Sequence, residues 1–220
     1  MTVESRAAQV WLVRERTEHE AAALFARLAR DLAACAAPGA LVDLAARCGR
    51  DETVHAGHCR AIVEDLEPGL APLPPDASLS LGPRLASAGE RALYASVALG
   101  CVTESLSTAL LIELRPLATR PVVRRALDVI LEDEVRHSRL GWAYLAHAAA
   151  REDVRWVQPH VPAMLAAALD GELPSATPIE AGESLAGLGI LDRDVVRRIC
   201  AETIESTIVP GLARYGIEAR

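Results

Sequence analysis

The chain is expected to be all-α: a four-helix bundle with one long crossover between its second and third helices, followed by C-terminal helices. Three observations predict this. Aromatic residues are only 3% of the chain, while Ala and Leu abound; these pack well in helices and are poor strand formers. Apolar residues recur at helical spacing over four long stretches, with no convincing β-alternation between them. Between the second and third stretch lies "EPGLAPLPPDASLSLGPR", residues 67–84, rich in Pro and Gly and too long for a tight turn.

The first helix is expected over 5–36, with Trp11, Ala22, Phe25, Ala29 and Leu32 at helical spacing, and "APGA" at 37–40 breaks it. The second runs over about 41–65, with Leu41, Leu44, Cys48, Ile62 and Val63 near one stripe. The third spans about 85–114 through Leu93, Val97, Cys101 and Leu111, and "RPLATRP" separates it from a fourth over 121–149. Two shorter helical pieces follow, 153–170 and 193–215, joined by a Gly/Pro/Ser stretch at 171–189. Residues 1–150 are read as the bundle and 151–220 as a helical extension packing on the same domain.

Composition narrows the function. A hydrophobic share of 51% with 24% charged residues describes a globular chain. The net charge of −7 argues against a nucleic-acid surface, which needs clustered cations. No apolar run is expected to cross a membrane, and "MTVESRAAQVW" does not resemble a secretion signal. Five cysteines, an odd number with no C-x-x-C pair, read as reduced residues of a cytoplasmic protein.

Two short stretches carry the chemistry. "DETVH" at 51–55 and "DEVRH" at 133–137 contain the only two Asp-Glu dipeptides, and in each a His stands three residues after the Glu. On a helix, Glu52 and His55, and likewise Glu134 and His137, share one face. A di-metal carboxylate bundle also needs one inward Glu from each of the other two helices. Glu104 lies in an otherwise uncharged stretch from Val97 to Ile112, where a buried carboxylate needs a cation or a metal. Glu18 lies seven residues from both Trp11 and Phe25, on the apolar stripe of the first helix; Glu15 is held in reserve, and Glu20 points away. Glu18 to Glu52 spans 34 residues and Glu104 to Glu134 spans 30, an internal repeat of one helix pair. Four carboxylates and two imidazoles suit two iron or manganese ions, or a mixed pair.

These residues resemble the ferritin-like di-iron carboxylate superfamily over about 1–150. The resemblance implies Glu18 and Glu104 as terminal ligands, Glu52 and Glu134 as bridging ligands, and one metal for each of His55 and His137. The Asp before each motif Glu, with Arg136 in the second motif, looks like the "DExRH" signature of bacterial multicomponent di-iron monooxygenases. That resemblance implies Asp51 and Asp133 as partners of the metal-bound imidazoles. The stretches "EHEAAALFARL", "APGALVDLA" and "DETVH" also resemble small stand-alone bacterial ferritin-like proteins. Val54 departs from the signature, which carries Arg there, and His58 is extra, read as a second-layer or surface residue. Thr108, one turn beyond Glu104, is read either as close packing or as a hydroxyl beside the metals.

The expected activity is that of a di-iron oxidase or oxygenase that uses O2 on a small organic substrate. Such a reaction needs electrons, and the sequence has no flavin or iron–sulfur motif, so a separate reductase or a reducing substrate is implied. A homodimer is left open. The competing expectation is a ferroxidase or an iron- or manganese-storing protein without an organic substrate.

Overall fold

The computed structural model describes residues 1–76, 81–173 and 184–219. The part of the crossover at 77–80, most of the expected 171–189 linker (174–183) and Arg220 lie outside the described residues. The chain is all-α, with no strand among the described residues.

Helix α1 (Val3–Ala34) begins at Thr2, whose side chain accepts from the Ser5 amide, and ends where Ala36 turns into the left-handed region at φ 55°. Helix α2 (Gly39–Leu66) follows at once and packs along α1. The crossover delivers the chain to Ser87, which forms a reciprocal cap with Glu90. From there α3 runs as one rod made of Ala88–Ala95, a π-helical segment Ser96–Thr103 and a second α-helical part Glu104–Leu114. Helix α4 (Pro121–Ala149) starts with Pro at its first position, where no amide donor is missed.

Helix α1 contacts α2 and the start of α3, α2 contacts α4, and α4 contacts the rest of α3. The four helices therefore close a ring around one core. Its largest fully buried members include Trp11, Phe25, Leu28, Ile62, Leu93 and Leu127. Where α3 crosses α4, two glycines meet: a Cβ on Gly100 would stand 2.5 Å from Gly141 Cα. The two backbones are therefore in direct contact at this crossing.

Beyond α4 a 3-10 turn (Arg155–His160) containing Pro159 leads into α5 (Val161–Glu172). The last helix, α6, comprises Arg193–Thr203, a π-helical turn Ile204–Ile208 and Val209–Ala213. Helix α5 packs on the π segment of α3, and α6 packs on the second half of α3. The 185–190 segment is tied to α1 by the Trp11 indole, which donates to Leu188 O at 2.8 Å.

The structure corrects one expectation about apolar length. The helical run Ala88–Leu117 is long and apolar enough to cross a membrane by length and composition, with mean hydropathy 1.6, and 72% of its apolar window is buried inside the protein. It is this apolar because it meets helices on several sides, leaving little solvent-facing surface that needs polar residues.

Candidate metal centre

The core of the ring is not apolar throughout. Glu52, His55, Glu104, Glu134 and His137 are all buried, and Glu18 is partly buried beside them. Each of the four bundle helices contributes. α1 presents Glu18, α2 presents Glu52 and His55 one turn apart, α3 presents Glu104 where its π segment ends, and α4 presents Glu134 and His137.

These six side chains form two overlapping groups. Glu18, Glu52, His55 and Glu134 make one, and Glu52, Glu104, Glu134 and His137 make the other; within each, the ligand atoms lie within 4.8 Å of one another. Glu52 and Glu134 belong to both. The histidines turn the same ring atom inward. His55 Nδ1 lies 3.1 Å from Glu52 Oε2 and 3.6 Å from Glu134 Oε1. His137 Nδ1 lies 2.9 Å from Glu52 Oε1 and 3.4 Å from Glu134 Oε2. Both groups could hold a metal ion.

The outer ring atoms are held by the opposite motif. His55 Nε2 stands 3.2 Å from Asp133 Oδ2, and His137 Nε2 stands 3.5 Å from Asp51 Oδ2. Arg136 pairs with Asp133 and reaches Asp51 at 3.8 Å, and Arg47 approaches Asp51 at 3.6 Å. In the neutral ring, an acceptor on the outer nitrogen places the proton there and leaves Nδ1 as the atom that can bind a metal.

The electrostatics without metal are strained. Burial raises Glu18 and Glu134 well above the ordinary carboxyl range, and neighbouring carboxylates add to it. Burial also raises Glu104. Burial opposes ionisation of Glu52 too, yet the His137 and His55 rings beside it hold it at about 2. Burial would lower His137, but Cys48 and the surrounding carboxylates push it strongly upward. Metal fits this set for a second reason. His137 Nδ1 and Glu134 Oε2 are buried without a directed hydrogen bond, and such atoms are costly unless something binds them. Donors on one first-row ion at about 2.1 Å lie up to ~4.2 Å apart, so the observed spacing needs only a small inward adjustment.

The remaining expected residues fall around this centre. Glu15, the reserve ligand, is committed elsewhere: it is buried in an ion pair with Arg60, whose Nε donates to it at 3.0 Å. His58 is half-buried on α2 and belongs to neither group; burial, then His55, lowers its pKa. Glu20 does not point away as expected: it lines the cavity described below, accepts from the Asp76 amide at 2.9 Å and lies 3.6 Å from Arg16. The Thr108 hydroxyl is buried without a partner but does not face that cavity, whereas Thr103 and Ser107 do.

A cavity of about 620 Å³ opens on the carboxylates. Glu18, Glu52, Glu104 and Glu134 form part of its wall. Leu99, Leu110, Leu111 and Ile130 supply apolar wall from α3 and α4, and Met164, Ala167 and Ala168 of α5 complete it. Tyr94, Arg14 and Glu172 also face it. Burial pushes Glu172 up to about 7, against a favourable Arg14 charge. Sequence reasoning missed this cavity; the only signal was the 3–4 spacing of Met164, Ala167 and Ala168 on α5.

No family model matches the chain, and no curated protein matches it significantly.

Proposed function

We propose that the chain is a ferritin-like di-iron oxidoreductase that activates O2 against a small organic substrate. The observation that carries this reading is the meeting of two features: six buried Glu and His side chains in two groups sharing Glu52 and Glu134, and an organic-sized cavity on the same carboxylates. A storage protein has no use for such a cavity, which lies within the range of small-molecule sites.

Glu18, Glu52, His55 and Glu134 would hold one ion, and Glu52, Glu104, Glu134 and His137 the other. Two bound iron ions, or manganese in their place, would supply the redox chemistry and Lewis acidity that O2 reduction requires. Asp133 and Asp51 fix the orientation and tautomer of His55 and His137 from behind. Leu99, Leu110, Leu111 and Ile130 keep water from the reacting face. Thr103 and Ser107 offer hydroxyls on the cavity side of Glu104. Electrons come from outside the chain, from a reductase of the same cytoplasmic compartment or from the substrate itself.

Counting the iron that each chain oxidises tests this. Metal-free protein titrated with Fe(II) in air should stop near two per chain, and Glu134→Ala should abolish the step. Oxidation continuing far beyond two, with the iron kept soluble, would establish the storage reading instead.

A further inference from the structure

We infer that Arg14 is the anchor for an organic acid: the substrate is a small carboxylate with an apolar body, its carboxylate on Arg14 and its apolar portion toward the buried carboxylates. This rests on the reading of those carboxylates as an oxidising metal centre and adds the class of substrate to it.

Four observations point there. Arg14 faces the cavity and is only partly buried. It stands four residues before Glu18 on α1, which places it about 6 Å along the helix from that side chain. Its guanidinium is held in place without being neutralised: one nitrogen donates to Gly189 O at 2.9 Å, and the group lies 4.7 Å from the centre of the Trp11 ring. Among the described residues, no carboxylate lies within 4.0 Å of it.

Arginine has five N–H donors in a rigid fork, and one contact to a carbonyl leaves a carboxylate-matching edge free. Of the acids that share the cavity wall with it, Glu18, Glu52, Glu104 and Glu134 form the candidate metal centre, and Glu172 is held toward its neutral form by burial. The walls beyond Arg14, built from Leu110, Leu111, Leu127 and Ile130, suit a hydrocarbon body. An acid seated this way presents a carbon about one helical turn from its carboxylate to the centre, so selectivity is set by length as well as charge.

Isothermal titration with octanoate and octanamide tests the anchor. The two probes share a chain and differ in charge. The protein should bind octanoate at least about tenfold more tightly than octanamide, both as purified and after chelation of metals, because Arg14 and not the metal holds the carboxylate. Arg14→Gln, which keeps a donor for Gly189 O, should remove that preference by weakening octanoate far more than octanamide, and Arg14→Lys should restore part of it. Equal binding of the two probes, binding of neither, a preference that survives Arg14→Gln, or a preference that vanishes on chelation would each overturn the proposal. The iron titration is independent of these outcomes. An acid preference in a protein that oxidises no iron would sink the metal reading and leave the anchor standing.

Discussion

His55 on α2 places its outer ring nitrogen 3.2 Å from Asp133 of α4, and the converse pair, His137 with Asp51, lies at 3.5 Å. Each motif therefore supplies the acceptor for the other motif's imidazole. The exchange ties α2 to α4 and sets both Nδ1 atoms toward the shared carboxylates. Loss of one such partner typically weakens metal binding about 10- to 100-fold. Asp133→Ala is expected to lower iron affinity by that factor while leaving the stoichiometry unchanged, as read by competition with a chelator of known affinity.

The contact between α3 and α4 leaves no room for a side chain. A Cβ on Gly141 would lie 2.5 Å from Ser96 O and 2.6 Å from the Cys101 amide, both backbone atoms. Gly141→Ala must push the helices apart, at a cost of about 1–3 kcal/mol. The same shift separates Glu104 from His137. The variant is expected to melt several degrees lower and to bind iron more weakly, by thermal denaturation and by titration.

The metal-free protein should become less stable as pH rises. Glu18, Glu104 and Glu134 have raised pKa values when folded, so the folded state holds protons that the unfolded chain has lost above about pH 4.5. His137 is also raised; its contribution is full below about 6.5 and is lost as pH climbs toward its folded value. Glu52, held at about 2, acts oppositely, but its contribution is lost only as pH falls below about 4.5. Between pH 6 and 8.5 the melting temperature of chelated protein should fall, whereas metal-loaded protein should hold or gain, since its ligands bind deprotonated.

Stability and metal binding should trade against each other at the same residues. Glu134→Gln removes one of several mutually repelling buried acids. The metal-free variant is expected to gain about 1 kcal/mol or more over metal-free wild type, while the rise in melting temperature on adding Fe(II) disappears. Paired melts with and without metal read both effects.

Most of the centre was legible in the sequence because it rides on helices. Three-residue spacing places Glu52 with His55 and Glu134 with His137 on any regular helix, and the position of Glu18 on the Trp11–Phe25 stripe turns it inward. Helix α4 falls at its expected bounds for a similar local reason: Pro121 opens it. What was not legible depends on how helices meet. The exchange of Asp51 and Asp133 between motifs is a relation across α2 and α4, which no spacing within one helix encodes. The facing of Ser107 rather than Thr108 toward the cavity is set by how the helix meets its neighbours, and the π-helical segment Ser96–Thr103 breaks the 3.6-residue periodicity that would relate Glu104 to the start of the helix. The cavity needs α5, which carries no motif and reaches the centre only through tertiary packing.

The central claim is that Glu18, Glu52, His55, Glu104, Glu134 and His137 hold two metal ions. Anomalous diffraction at the iron edge from crystals of Fe(II)-loaded protein tests it most directly. The account predicts two peaks about 3.5–4 Å apart, both contacted by Glu52 and Glu134, with His55 on one and His137 on the other. A single peak, or iron bound away from these six residues, would contradict it.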